Sequence, residues 1–316
     1  MSIQSYIREI GRGKDGAKSL SKEQAFELMG LILDDELSDI QLGAFCIAMR
    51  IKGETEQEMA GFLDAAHQRL NYFTPPKSNK PTIVIPSYNG ARRLPVLTPL
   101  LGLLLAREGF AVLMHGSSTE NTRVSSQEVL EELGVNPTTT PGELKAGELA
   151  FAPTSIISAS LLRLLEIRRT IGLRNSAHSM VKLIQPVQFH NDQETSTTSS
   201  GLKPLLITSY THPEYAISMK KTLELVHGDA VLLRGCEGEA VADPRRSPAY
   251  TVLKGGIVTH QQDSEKGSVS SSDLFTEELN AKSIAYYTSN ILNGKLPTPK
   301  SILDQIELIK STFKMH

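Results

Sequence analysis

Three stretches early in the chain open with a hydroxyl side chain followed three positions later by Glu or Gln: Ser21 and Gln24, Ser38 and Gln41, Thr55 and Glu58. Such a pair satisfies two helix-end amides reciprocally, so each marks a helix start. Apolar residues then recur at helical spacing, Phe26, Met29, Ile32 and Leu33 behind the first pair, and Leu42, Phe45, Cys46 and Met49 behind the second. Gly53 is placed to stop the second helix. The pattern predicts a small unit of three helices. A Pro-rich run at 74–81 reads as a stiff linker.

After the linker the period changes. Short apolar runs at 82–85, 111–115, 149–151, 205–208 and 230–233 read as strands, and longer stretches near 94–108, 126–133, 154–171, 213–227, 274–293 and 299–313 as helices. Strands separated by helices imply a covered, mostly parallel sheet. The expected fold class is therefore α/β. A small all-helical N-terminal domain spans 1–73, with part of 154–186 packing onto it, and a larger domain built from 82–153 and 187–316 surrounds a mostly parallel central sheet. The polar run at 190–201, HNDQETSTTSSG, reads as a mobile loop.

At 316 residues and 40% hydrophobic content the chain can bury a large core without staples. Its two cysteines, Cys46 and Cys236, have no partner spacing for zinc or a redox pair and read as buried thiols of a reduced compartment. The opening MSIQSYIREIGRGK lacks the apolar core of a secretion signal, and no apolar run is long enough to span a bilayer. A cytoplasmic, membrane-free protein is the expectation. The net charge of −2 gives no whole-chain argument for a polyanion partner. The charges are uneven, however: Arg163, Arg168, Arg169, Arg174 and Lys182 face only Glu166 within 161–182.

Several strings carry a family likeness. The segment at 38–61, SDIQLGAFCIAMRIKGETEQEMAG, the His115-Gly116 turn, the VLEELG run at 129–134 and the RRTIGLR run at 168–174 occur in the order found in the anthranilate phosphoribosyltransferase superfamily, glycosyltransferase family 3, which the chain resembles. The resemblance implies that fold, with dimerisation through the small helical domain. It also exposes departures. Where the enzymes carry a Gly-Thr-Gly-Gly-Asp-Gly loop whose amides close on pyrophosphate, this chain has Pro86, Ser87, Tyr88, Asn89, Gly90 and Ala91. Proline has no amide to give, and the tyrosine is expected to crowd the cradle. Where the enzymes carry an Asp-Glu pair for magnesium, the chain has Ala240 and Val241, which cannot ligate it. Glu237 and Glu239 nearby read as part of a turn, with a cation site as the alternative.

Within the superfamily, IPSYNGARR at 85–93, RNSAH at 174–178 and THPEY at 211–215 resemble the YbiB branch. That likeness implies a homodimer that binds single-stranded DNA or RNA with little sequence preference, without phosphoribosyl transfer and without a cofactor or metal. Arginine delivers fork-shaped charge to phosphates and stacks on unpaired bases, so the candidate nucleic-acid contacts are Arg92, Arg93, Arg123, Arg163, Arg169, Arg174 and Lys182. Arg168 falls nearer the apolar side of its helix and reads as structural. Tyr88 is a candidate for stacking a base, and His178 for donating to a phosphate or for closing its own turn. His115 and Arg174 are candidate relics of the enzyme site; Arg174 matches the arginine that holds the aromatic acid in the enzymes. Two rivals stand beside this reading: a phosphoribosyltransferase using phosphoribosyl pyrophosphate and Mg, and a small-anion sensor.

Overall fold

A computed structural model describes residues 2–13, 15–118, 120, 122–189, 202–265, 275 and 278–314. The loop predicted at 190–201 lies outside the described residues. The N-terminal unit holds four helices among the described residues rather than three: α1 (Ile3–Ile10), α2 (Lys22–Leu33), α3 (Asp39–Lys52) and α4 (Glu56–His67). The short α1 is capped by Ser2 and buries Tyr6 and Ile10, a stripe too brief to stand out in sequence. All three predicted capping boxes close. Gly53 ends α3 at φ +80. Glu58 of the third box is fully buried and also accepts from the Leu20 amide at 2.9 Å and from Lys52 Nζ at 2.6 Å. It thereby ties the start of α2 to α4 with a cap rather than with a surface ion pair.

The larger domain is a seven-stranded sheet in the order β3-β2-β1-β4-β5-β6-β7. The strands are β1 (Ile83–Pro86), β2 (Val112–Gly116), β3 (Leu149–Pro153), β4 (Leu205–Tyr210), β5 (Ala230–Arg234), β6 (Tyr250–Lys254) and β7 (Ile257–Gln262). The first five are parallel, as predicted; β6 and β7 add an antiparallel edge that the sequence reading missed. Its signal was present: two alternating runs flank Gly255 and Gly256, both at positive φ, the geometry of a two-residue hairpin turn.

The helices are α5 (Thr98–Arg107), α6 (Ser126–Glu132), α7 (Thr154–Ile157), α8 (Ala159–Ile171), α9 (Ala177–Met180), α10 (Pro213–Leu225), α11 (Ala281–Leu292) and α12 (Lys300–Lys314). The helix predicted over 154–171 is broken at Ser158, which is extended (φ −165, ψ 114) and caps α8 with its hydroxyl. The run at 74–81 is anchored where it begins, with Thr74 bridged to Glu143 and the preceding Phe73 to Val187.

Alternation along the strands splits the core. Val84, Leu113, Leu206 and Leu232 face the helical unit and merge with its core. Ile83, Ile85, Val112, Met114, Ile207 and Val231 face the other way, against α5 and α12. Chain order reverses at β1, where β2 and β3 lie on one side and β4 and β5 on the other. The carboxyl ends of β1 and β4 therefore open the crevice in which α/β folds place their ligands.

Candidate functional site

Two features share that crevice. The first is the turn leaving β1. The amides of Asn89 and Gly90 converge at 2.7 and 2.8 Å on one oxygen of Glu239, and the hydroxyls of Ser87 and Thr98 meet the other, Thr98 at 3.0 Å. Glu239 is 2% exposed and comes from the turn after β5. Its neighbour Glu237 accepts the amides of Arg92 and Arg93 at 2.6 and 3.0 Å. The sequence reading expected the anion cradle to be lost. Instead its donors still converge, and they converge on the chain's own carboxylate.

Tyr88 does not crowd the turn, because its side chain points into the core. It is 6% exposed, with its hydroxyl 2.9 Å from His115 Nδ1. The expectation that Tyr88 stacks a base is therefore corrected. His115 is fully buried, its Nε2 3.3 Å from the Ile184 carbonyl, and burial holds its pKa at about 3. It orients this part of the structure as a neutral ring.

The residues present do not fit a magnesium–pyrophosphate pair. Ala240 and Val241 are buried and offer no ligand, while Glu237 and Glu239 spend their oxygens on backbone amides and hydroxyls. No group of three or more His, Cys, Asp or Glu among the described residues is placed to hold a metal ion.

The second feature is an open cleft of about 530 Å³ between the α3–α4 connection and the β4–α10 turn. Arg50, Arg174, His178 and Lys182 line one part of it, Tyr210, His212 and Tyr215 another, and Glu54 and Glu214 also stand on its wall. The half-buried Lys182 donates to the Gly238 carbonyl at 3.1 Å and has no carboxylate partner within 4 Å among the described residues. Burial lowers its pKa to about 8; Glu239 offsets this in part, and the Arg174 charge adds to the fall. His178 lies with Nδ1 at 3.3 Å from Asn175, while its buried Nε2 has no partner among the described residues. Burial, then the Arg174 charge, lowers the His178 pKa to about 4.

The sequence candidates divide into three sets. Arg92, Arg93 and Arg169 have exposed side chains and form no ion pair among the described residues. Arg163 is tied to the helical unit, pairing with Asp35 and donating to the Ile32 carbonyl at 3.1 Å. Arg123 and Arg174 gather with Arg168 around Glu120, at 3.3, 2.9 and 2.9 Å. Burial opposes the Glu120 charge, yet the hydrogen bonds from Arg168 and Arg174 and the Arg123 charge outweigh it and hold the carboxyl at about 2. Sequence reasoning missed Glu120, Arg50 and the role of Glu239, since none of them sits in a local motif.

Comparison with known proteins places the fold. Residues 4–69 match the family described as the glycosyl transferase family, helical bundle domain. The anthranilate phosphoribosyltransferase of Thermus thermophilus superposes with a TM-score of 0.71 at 19% identity, over 97% of this chain and 86% of that one. The Saccharomyces cerevisiae enzyme in complex with phosphoribosyl pyrophosphate and Mg gives 0.65 at 14% identity, over 99% and 89%. The chain thus has the fold of the anthranilate phosphoribosyltransferase-like superfamily, glycosyltransferase family 3. Within it, the uncharacterized protein YbiB of Escherichia coli (strain K12) is 36% identical over 312 residues, 97% of this chain and 92% of that protein. The chain belongs to the YbiB family.

Proposed function

We propose that the chain binds single-stranded DNA or RNA in the basic cleft, as a cytoplasmic homodimer, and does not transfer phosphoribosyl groups. The observation that carries this reading is the contrast of partners. The cradle that would take a pyrophosphate is filled by Glu239, whereas Lys182 and His178 line the open cleft and Lys182 has no ion-pair partner among the described residues. Arg174 stands beside them, with Arg92 and Arg93 joined to the cleft through the 237–238 turn. Tyr215, 39% exposed and 6.2 Å from the His212 ring, gives an aromatic surface for a base. The phosphoribosyltransferase alternative lacks both a free cradle and a magnesium pair.

Dimerisation is supported by α3, whose Ile40 and Ile51 are 85% and 63% exposed on the stripe that also holds Ala44 and Ile47. Such a stripe is one helix face waiting for a partner. Sedimentation velocity should give a dimer that Ile51→Asp dissociates; a monomeric wild type removes the dimer from the proposal. No helix among the described residues is long and apolar enough to cross a membrane.

The binding test is fluorescence anisotropy of a labelled single-stranded oligonucleotide. With about four phosphates neutralised, affinity should fall about fifty-fold between about 50 and 200 mM salt. Lys182→Ala should weaken binding about tenfold, the scale of one charge-assisted hydrogen bond. Because the free protein's Lys182 loses its proton near pH 8, wild-type affinity should also fall as the pH rises through about 8, and the variant should lack that step. A flat salt response, or no binding at low salt, sinks the reading in favour of a small-anion site.

A further inference from the structure

Glu239 is a buried charge-bearing group that the nucleic-acid reading leaves without a role. Two adjacent amides and two hydroxyls, all from residues 87–98, point at its carboxylate, and the Ser126 hydroxyl stands 2.7 Å behind that of Ser87. Successive backbone amides at the end of a parallel strand, backed by hydroxyls, make an oxyanion site whatever the anion is. Nothing in the donor set is particular to glutamate, since it recognises oxygens and charge.

The neighbouring turn is shaped to deliver the carboxylate. A Cβ at Gly235 would lie 2.0 Å from the Glu239 carbonyl oxygen. Gly238 sits at φ +89, where a Cβ would meet Asn89 Nδ2 at 1.8 Å. Asn89 Nδ2 in turn donates to the Glu237 carbonyl at 3.2 Å, and the Glu237 carboxylate covers the next two amides, those of Arg92 and Arg93. The two turns are locked together through the carboxylates.

We infer that the turn after β1 is a working oxyanion site whose resident ligand is the chain's own Glu239. The site is sealed against phosphate esters in the native protein and accepts a free carboxylate or inorganic phosphate once that side chain is removed. The inference does not depend on nucleic-acid binding.

Thermal melting of Glu239→Ala and of the wild type, each in acetate, inorganic phosphate or sodium chloride at matched ionic strength, tests it. The variant should melt lower than the wild type and recover about 5 °C at roughly a hundredfold excess of acetate or phosphate over the dissociation constant. Chloride should not rescue it, and the wild type should not respond. A folded variant that ignores both anions, or a wild type that rises equally, overturns the inference. If Glu239→Ala does not fold, amide hydrogen exchange decides. Asn89 and Gly90 should be protected in the wild type and exchange at least about tenfold faster in Glu239→Gln, which keeps the side chain's size but not its charge. Equal rates overturn it. Neither readout involves an oligonucleotide, so failure here leaves the nucleic-acid proposal standing, and the reverse holds as well.

Discussion

The two halves of one crevice have opposite electrostatic fates. At the end of β1 every converging donor meets an internal carboxylate, and the ensemble is buried. A few residues away, across Gly238, Lys182 has only a backbone carbonyl and His178 Nε2 has nothing among the described residues. Both regions border the carboxyl ends of the same strands, so topology alone does not decide which half takes a ligand. What decides it is whether the polar groups are already paired. A satisfied cradle contributes stability and offers little binding energy, whereas a cation without an ion-pair partner, as Lys182 is among the described residues, keeps a cost that an external anion can relieve.

The largest expected effect lies beneath the closed half. Burial holds the His115 pKa at about 3, below the value near 6.5 of an exposed histidine. The neutral ring therefore contributes stability that is complete above about pH 6.5 and is lost as the pH falls toward 3, on the order of 5 kcal/mol in all. Urea unfolding at several pH values should show this loss, and His115→Gln should flatten it while leaving oligonucleotide affinity at neutral pH unchanged. A variant with the wild-type slope would remove His115 from the account of the closed half.

A smaller effect is expected at the border of the two halves, where Glu120, beside the β1 turn, partly neutralises the arginines it gathers, among them Arg174 of the open cleft. Glu120→Gln should release Arg174 toward a phosphate backbone and strengthen oligonucleotide binding about threefold to tenfold, with a steeper salt dependence. Weaker binding would mean that Glu120 serves to hold the arginines in their working geometry.

Much of the fold was legible because its signals are short-range. The capping boxes act over three residues, and the five parallel strands declare themselves as apolar runs between helices. The replacement of the magnesium pair by Ala240 and Val241 is likewise visible in the sequence alone, as is the family likeness. The antiparallel edge has a short-range signal too, in Gly255 and Gly256 between alternating runs.

The state of the candidate site was decided only by tertiary structure. The proline and tyrosine at 86 and 88 suggested a ruined cradle, but Tyr88 turned inward to His115, leaving the Asn89 and Gly90 amides free to converge. Their partner, Glu239, lies about 150 positions further along the chain. Glu120 lies 54 positions from Arg174, which it holds. Sequence determines what can be specified between near neighbours: caps, strand period and the presence or absence of a ligand type. Which charge meets which donor depends on packing that brings distant turns to one strand end, and that packing made one half of the crevice a filled cradle and left the other an open basic cleft.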